Sequence, residues 1–204
     1  MTSTPARLPS GEKRPRYDLD SLLAVAVTVF TERGYDGTSI EQLAQASGLS
    51  KSSIYHHVDS KEQLLRLALE RALDPLLAST RERGATTGRA ADRLRHMVRR
   101  DVQVLADRLP YVTLLLRVHG NTATERWAMG ERRRFDQVVA DLVQEAAADG
   151  DIRAGVDSLT VSRLIFGMVN SLVEWYRPGR DQDPGALADD LLSLVFDGIG
   201  TRTS

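Results

Sequence analysis

Cysteine is absent from all 204 residues, which removes disulfides, thiolate nucleophiles and cysteine-based zinc sites together. Aromatics make up only 5% of the chain. With Ala, Leu, Val and Arg abundant, that scarcity argues for helices over a β-sandwich. No apolar run approaches the ~20 residues needed to cross a bilayer, and residues 1–15 hold no apolar stretch of the kind a secretory signal requires. A soluble, cytoplasmic protein is expected. Charge of one sign is lacking too: 27 Lys and Arg stand against 28 Asp and Glu, for a net charge of -1, so no bulk field draws the protein toward nucleic acid or acidic membranes. Even residues 1–61 are balanced, with seven bases (Arg7, Lys13, Arg14, Arg16, Arg33, Lys51, Lys61) and seven acids (Glu12, Asp18, Asp20, Glu32, Asp36, Glu41, Asp59). Contact with a polyanion must therefore come from placement. Metalloprotease, nucleophile-elbow, Walker and dinucleotide-binding motifs are all missing, so neither an enzyme nor a cofactor is expected.

What is present is helical periodicity. Residues 1–16 are rich in Pro, Ser, Thr, Gly and basic side chains and bury too little to offset the entropy of ordering; a flexible basic arm is expected. From 18 to 33, Leu22, Val25, Ala26, Val29 and Phe30 recur at spacings of three and four, and Gly34 closes the segment. After the turn Asp36-Gly37-Thr38-Ser39, the residues Ile40, Leu43 and Ala44 give a two-turn helix ending at Ser47-Gly48. Ser50 then caps a third short helix over 50–58, with Ile54 and Val58 inward and Lys51, Ser52, Ser53, Tyr55, His56 and His57 largely outward. A fourth begins at Lys61, with Ser60 as cap and Gln63 completing a capping box; Pro75 can kink or end it, while Leu76, Leu77 and Ala78 allow it to resume for another turn or two. Further helices are expected at about 89–108, 110–118, 122–149, 157–176 and 184–200. The fold is all-α, with about nine helices.

Two short helices joined by Ala46-Ser47-Gly48-Leu49 and anchored by Leu43, Leu49 and Ile54 make a helix-turn-helix pattern. Its second helix has one apolar face to pack on its own domain and a polar face to enter a major groove. The stretch Gly34-Tyr35-Asp36-Gly37-Thr38-Ser39-Ile40, with Leu43-Ala44 and the run from Gly48 through Tyr55-His56-His57-Val58 to Lys61-Glu62-Gln63-Leu64-Leu65, resembles the TetR/AcrR family of bacterial regulators. The likeness covers residues 18–66, about a quarter of the chain.

This resemblance implies a DNA-binding regulator. Thr38 and Tyr55 would touch backbone phosphates, and Lys61 would add a charged phosphate contact. His57 can donate to a phosphate. Base reading falls to Lys51, Ser52, Ser53 and His56, with Lys51 the best guanine partner. Other readings stand beside these: a solvated face for Lys51, Ser52 and Ser53, and packing of Tyr55 on the first helix. A His56-His57 metal site is disfavoured, because adjacent residues on a helix point about 100° apart. Lys13, Arg14 and Arg16 can reach phosphates or the minor groove, or form an ordinary solvated tail.

Family likeness further implies three parts: the arm at 1–16, a helix-turn-helix domain at 17–61, and a ligand-binding and dimerisation domain at 62–204. The last two helices carry Leu159, Val161, Leu164, Ile165, Met168, Val169, Leu172 and Val173, then Leu187, Leu191, Leu192, Leu194, Val195, Phe196 and Ile199, more apolar surface than one core-facing stripe needs; this points to a homodimer and hence to a palindromic double-stranded operator, against the reading of a well-buried pair within a monomer. Candidates for contact with a small-molecule effector are Leu69, Met97, Leu105, Leu115, Arg117, His119, Trp127, Phe166 and Trp175, against the reading that each is plain core or surface. Residues 167–178 look like the corresponding helix of members that sense acyl-CoA thioesters; an apolar pocket for hydrophobic compounds is the comparable reading. Ligand-independent regulators and activators remain open at this point.

Overall fold

The computed structural model describes residues 18–199, with side chains to Asp197. It is all-helical: α1 (Leu19–Arg33), α2 (Ile40–Ser47), α3 (Lys51–Tyr55), α4 (Lys61–Ser79), α5 (Arg83–Thr86), α6 (Ala90–Asp107), α7 (Leu109–Leu116), α8 (Ala123–Ala148), α9 (Ser158–Asn170), α10 (Leu172–Trp175) and α11 (Pro184–Ile199). No strand occurs among the described residues, and no helix there is long and apolar enough to cross a membrane.

Local chemistry sets the starts of the N-terminal helices. The Asp18 carboxylate accepts from the Ser21 N–H at 2.9 Å, bonding that also holds its pKa low. Ser39 and Gln42 form a reciprocal capping box on α2. Ser50 accepts from Ser53 N–H on α3. Ser60 caps α4 through Gln63 N–H, but the Gln63 side chain reaches Asp59 N–H, one residue short of the box expected from the sequence. Between α2 and α3, Gly48 turns the chain with φ 68°, a left-handed conformation that disfavours any Cβ.

One expectation left open is settled and two departures from the expected helices have physical causes. Of the readings open at Pro75, continuation holds: α4 runs four residues past it, because Leu73 and Leu76 on either side are buried in the core, and their burial outweighs the one backbone bond Pro75 forfeits. Residues 83–86 form the extra turn α5, seated by buried Ala85 and by the Arg93 side chain on the Ala85 carbonyl at 3.0 Å. The single helix expected over 157–176 divides at Ser171, whose hydroxyl takes the Met168 carbonyl at 2.7 Å while the Glu174 N–H bonds back only three residues.

Helices α1 to α3 form a small bundle, α4 leads out of it, and α6, α8, α9 and α11 pack as the body of the protein. Helix α4 touches α1, α6, α7 and α8. One apolar core runs from Leu22 in α1 through Leu69 and Leu94 to Val195 in α11 and so joins the two regions.

Candidate DNA interface and effector cavity

The short helix α3 is held by a single deeply buried side chain. Ile54 is fully buried against Leu43 and the α1 core, and Val58 closes the turn after the helix. Lys51, Ser52, Tyr55 and His56 are exposed, while Ser53 and His57 are partly covered. Tyr55 is 52% exposed, so its ring is not packed away on α1. The three hydroxyls of Ser50, Ser52 and Ser53 bond one another at 2.8 and 2.9 Å, all at the N-terminal end of α3. That end carries free helical N–H groups and favours anions.

Lys51 is already paired. Its ammonium meets the Glu41 carboxylate of α2, which together with the Glu41 backbone N–H and Ser39 brings the Glu41 pKa down to about 2. Any DNA contact by Lys51 must displace an ion pair that stays charged throughout the neutral range.

Two residues expected at phosphates are otherwise engaged. Thr38 is only 2% exposed, and its hydroxyl donates to the Gly34 carbonyl at 2.7 Å. Its side chain stabilises the α1–α2 turn instead of facing outward. Lys61 donates to the carbonyls of Tyr35 at 2.9 Å and Thr38 at 2.7 Å, with its ammonium 4.1 Å from the Tyr35 ring centre. It ties the start of α4 to the same turn, leaving at most one N–H for a phosphate. At Gly37 an added Cβ would lie 2.7 Å from the Arg33 carbonyl oxygen, so the turn admits no side chain there. The basic residues Lys13, Arg14 and Arg16 lie outside the described residues.

The end of α1, the α1–α2 turn and the start of α4 are each hydrogen-bonded to the segment 117–124. Arg117 donates to the Thr31 carbonyl at 2.9 Å, Asn121 to the Asp36 carboxylate at 2.8 Å, and the Thr124 N–H to the Glu62 carboxylate at 3.2 Å.

A cavity of about 30 Å³, room for a water or two, lies between α4, α6, α7, α8 and α9. Ala72, Leu76, Val104, Val112, Leu115, Leu116, Phe135 and Phe166 make its apolar walls, and Asp101, Arg132, Asp136 and Asn170 supply polar groups. Phe135 and Phe166 lie 5.3 Å apart, ring centre to ring centre, at 46°. Asp101 is 9% exposed, and its pKa is pushed up to about 7, first by burial and then by Asp136, against the pull of Arg132. Burial raises Asp136 as well, opposed by Arg132, Arg163 and Arg133.

Of the effector candidates taken from the sequence, Phe166 and Leu115 border this cavity. The others do not. Met97, Leu69 and Leu105 are core. Arg117 and His119 are exposed and line a separate hollow of about 310 Å³ against the α1–α2 turn. Trp127 is covered by the Arg66 guanidinium, 3.2 Å from its ring centre. Trp175 is half exposed. Sequence reasoning missed Asp101, Arg132, Asp136 and Asn170. One signal was available: Leu94, Met97, Val98 and Leu105 form a buried stripe on α6, and Asp101 falls in its register. Among the described residues, no cluster of His, Asp or Glu fit to hold a metal occurs.

Comparison with known proteins bears on both regions. Residues 22–68 match the model of bacterial regulatory proteins of the tetR family, and residues 87–199 match the tetracyclin repressor-like C-terminal domain. The HTH-type transcriptional repressor KstR2 of Rhodococcus jostii is 29% identical over 204 residues, covering 98% of each chain. A crystal structure of a TetR transcriptional regulator from Streptomyces coelicolor superposes with a TM-score of 0.82 at 56% identity, over 88% of this chain and 91% of that one. AibR, solved with isovaleryl coenzyme A and operator DNA, shares the fold, with a TM-score of 0.73 at 24% identity over 87% of this chain and 97% of its own.

Proposed function

Because this chain belongs to the tetR family, whose members are DNA-binding transcriptional regulators and not enzymes, we propose that it is a repressor that holds a palindromic operator as a homodimer and lets go when a small molecule fills the cavity beside Phe135 and Phe166. Helices α1 to α3 act as the reading unit, and the helices beyond Lys61 bind the effector and the second subunit.

One observation carries the reading: α3 is fixed from behind by Ile54 and presents Lys51, Ser52, Tyr55 and His56 outward. Lys51 with Ser52, Ser53 and His56 addresses base edges, and Tyr55 with His57 addresses phosphates. Thr38 and Lys61 serve the interface indirectly, by fixing the α1–α2 turn from which α2 and α3 project. Repression is supported by the name of the full-length relative KstR2.

Release follows from the connection between the two regions. The cavity is too small for a ligand as it stands, so occupation must push its walls apart. Two of those wall residues, Ala72 and Leu76, sit on α4, and Leu76 is roughly 22 Å along the helix axis from Lys61, which grips the α1–α2 turn. Displacing α4 at one end swings the reading unit at the other, and DNA affinity falls by the ligand's differential affinity for the two states. The eight apolar walls support a hydrophobic compound as effector. A CoA thioester is the second reading, favoured by the likeness of residues 167–178 to acyl-CoA-sensing members and by the fold shared with AibR.

Selection from random duplexes with the full-length chain tests the proposal. A palindrome should be enriched. Lys51→Ala should cost about 1–3 kcal/mol and flatten preference at its base pair, and Tyr55→Ala should weaken all duplexes alike. Failure to enrich any palindrome, or both variants binding as the parent does, rejects it.

A further inference from the structure

The Asp101 side chain has neither a hydrogen bond nor an ion pair among the described residues, although it is buried at the wall of the cavity. A carboxylate in that position is costly to ionise unless something meets it. We propose that the cavity takes an apolar molecule ending in a protonated amine, whose ammonium group becomes the partner Asp101 lacks. This inference rests on reading the cavity as the effector site.

Three features favour a cation over a neutral or anionic end group. The first is the charge next to Asp101 itself: it feels the carboxylate of Asp136 and the guanidinium of Arg132 and pairs with neither, whereas Asp136 has Arg163 and Arg133 near it as well as Arg132. An arriving ammonium gives Asp101 its own counter-charge, whereas a carboxylate or a phosphate would be repelled by it. Second, the Phe135 and Phe166 rings line the same cavity as the acids, and aromatic rings attract a desolvated cation. Third, the remaining wall is aliphatic and accommodates the hydrocarbon part. Asn170 adds a carbonyl oxygen able to accept a second ammonium N–H.

Binding must also depend on pH in a defined direction. The charged groups facing Asp101 are Arg132 and Asp136 of α8; Asp136 is faced in turn by Arg133 and by Arg163 of α9, while α4 and α7 contribute only apolar walls. With Asp101 titrating near 7, its ionised fraction rises about tenfold between pH 6 and pH 8. An alkylammonium stays protonated throughout that range, so its affinity climbs with the carboxylate.

Titration calorimetry of the full chain with octylamine, octanol, octanoate and octanoyl-CoA tests this. Octylamine should bind most tightly of the four at pH 8 and about tenfold more weakly at pH 6, with octanol flat across the range. Asp101→Asn should lose at least tenfold in octylamine affinity along with its pH dependence, while keeping octanol. If octanol or octanoyl-CoA outcompetes octylamine, or if Asp101→Asn binds octylamine like the parent, the cationic specificity is overturned while the effector cavity stands. If none of the four binds, the cavity reading falls with it.

Discussion

Asp101 occupies a position on α6 that a leucine would ordinarily fill, one turn on from Met97 and Val98 and one turn before Leu105. Its consequence for stability has a definite sign. The unfolded carboxyl titrates near its ordinary value of 3.8 and the folded one near 7, so between those values the native state binds more protons than the unfolded state. Stability contributed by the protonated group is therefore complete below about pH 4 and declines until pH 7, a loss on the order of 4 kcal/mol if the whole shift is expressed. Asp101→Asn keeps the shape and removes the titration. Urea midpoints of parent and variant should coincide near pH 4 and separate steadily to pH 8, with the variant more stable; parallel curves would show that the group is solvated in the folded protein. The same residue marks what the sequence concealed. That Phe166 lies at the cavity while Met97, equally apolar, lies in solid core depends on where five helices leave a gap, and no local pattern encodes that.

Helices whose ends are set by neighbours in sequence were legible. The caps Asp18, Ser39, Ser50 and Ser60 each accept from the backbone N–H three residues on, so their chemistry is contained in a tetrapeptide. The passage of α4 through Pro75 and the extra turn α5 are decided by packing against distant segments, which is why periodicity alone left them open. The outward face of α3 was legible for the same reason as the caps: once Ile54 is inward, the rest of a five-residue helix has nowhere else to point. What periodicity did not reveal is the partner across the turn. Glu41 on α2 reaches Lys51 on α3, holding the candidate base reader in a fixed, neutralised pose. Glu41→Gln should release it. Operator affinity at low salt should rise several-fold, and the slope of log affinity against log salt should steepen by about one, because one acidic group near the duplex is gone. Fluorescence anisotropy across a salt series reads both quantities. An unchanged slope with unchanged affinity places Lys51 and Glu41 away from the duplex.

The surface of the whole protein is uneven in one place. Leu164 on α9 is 63% exposed and Leu194 on α11 is 71% exposed, and Met168, one turn on from Leu164, shares its α9 face and is exposed too. These helices together offer the apolar face that the last part of the sequence implied, and a reader with one α3 per chain needs a twofold partner to meet two successive major grooves about 34 Å apart. A symmetric contact uses each leucine twice. At about 2 kcal/mol for burying a leucine, Leu164→Glu removes roughly 4 kcal/mol from the pair before any cost of desolvating the carboxylates, so the dimer dissociation constant should rise about a thousandfold or more. Because Leu164 contributes little to the monomer's own core, the helical signal and the melting temperature of the dissociated chain should fall far less than for a core substitution such as Leu69→Ala. Sedimentation velocity should then find a folded monomer that has lost the palindrome yet keeps weak, salt-sensitive binding to any duplex. A Leu164→Glu chain that stays dimeric would move the interface off α9, and a folded monomer that still held the palindrome at full affinity would remove the need for a second subunit in reading.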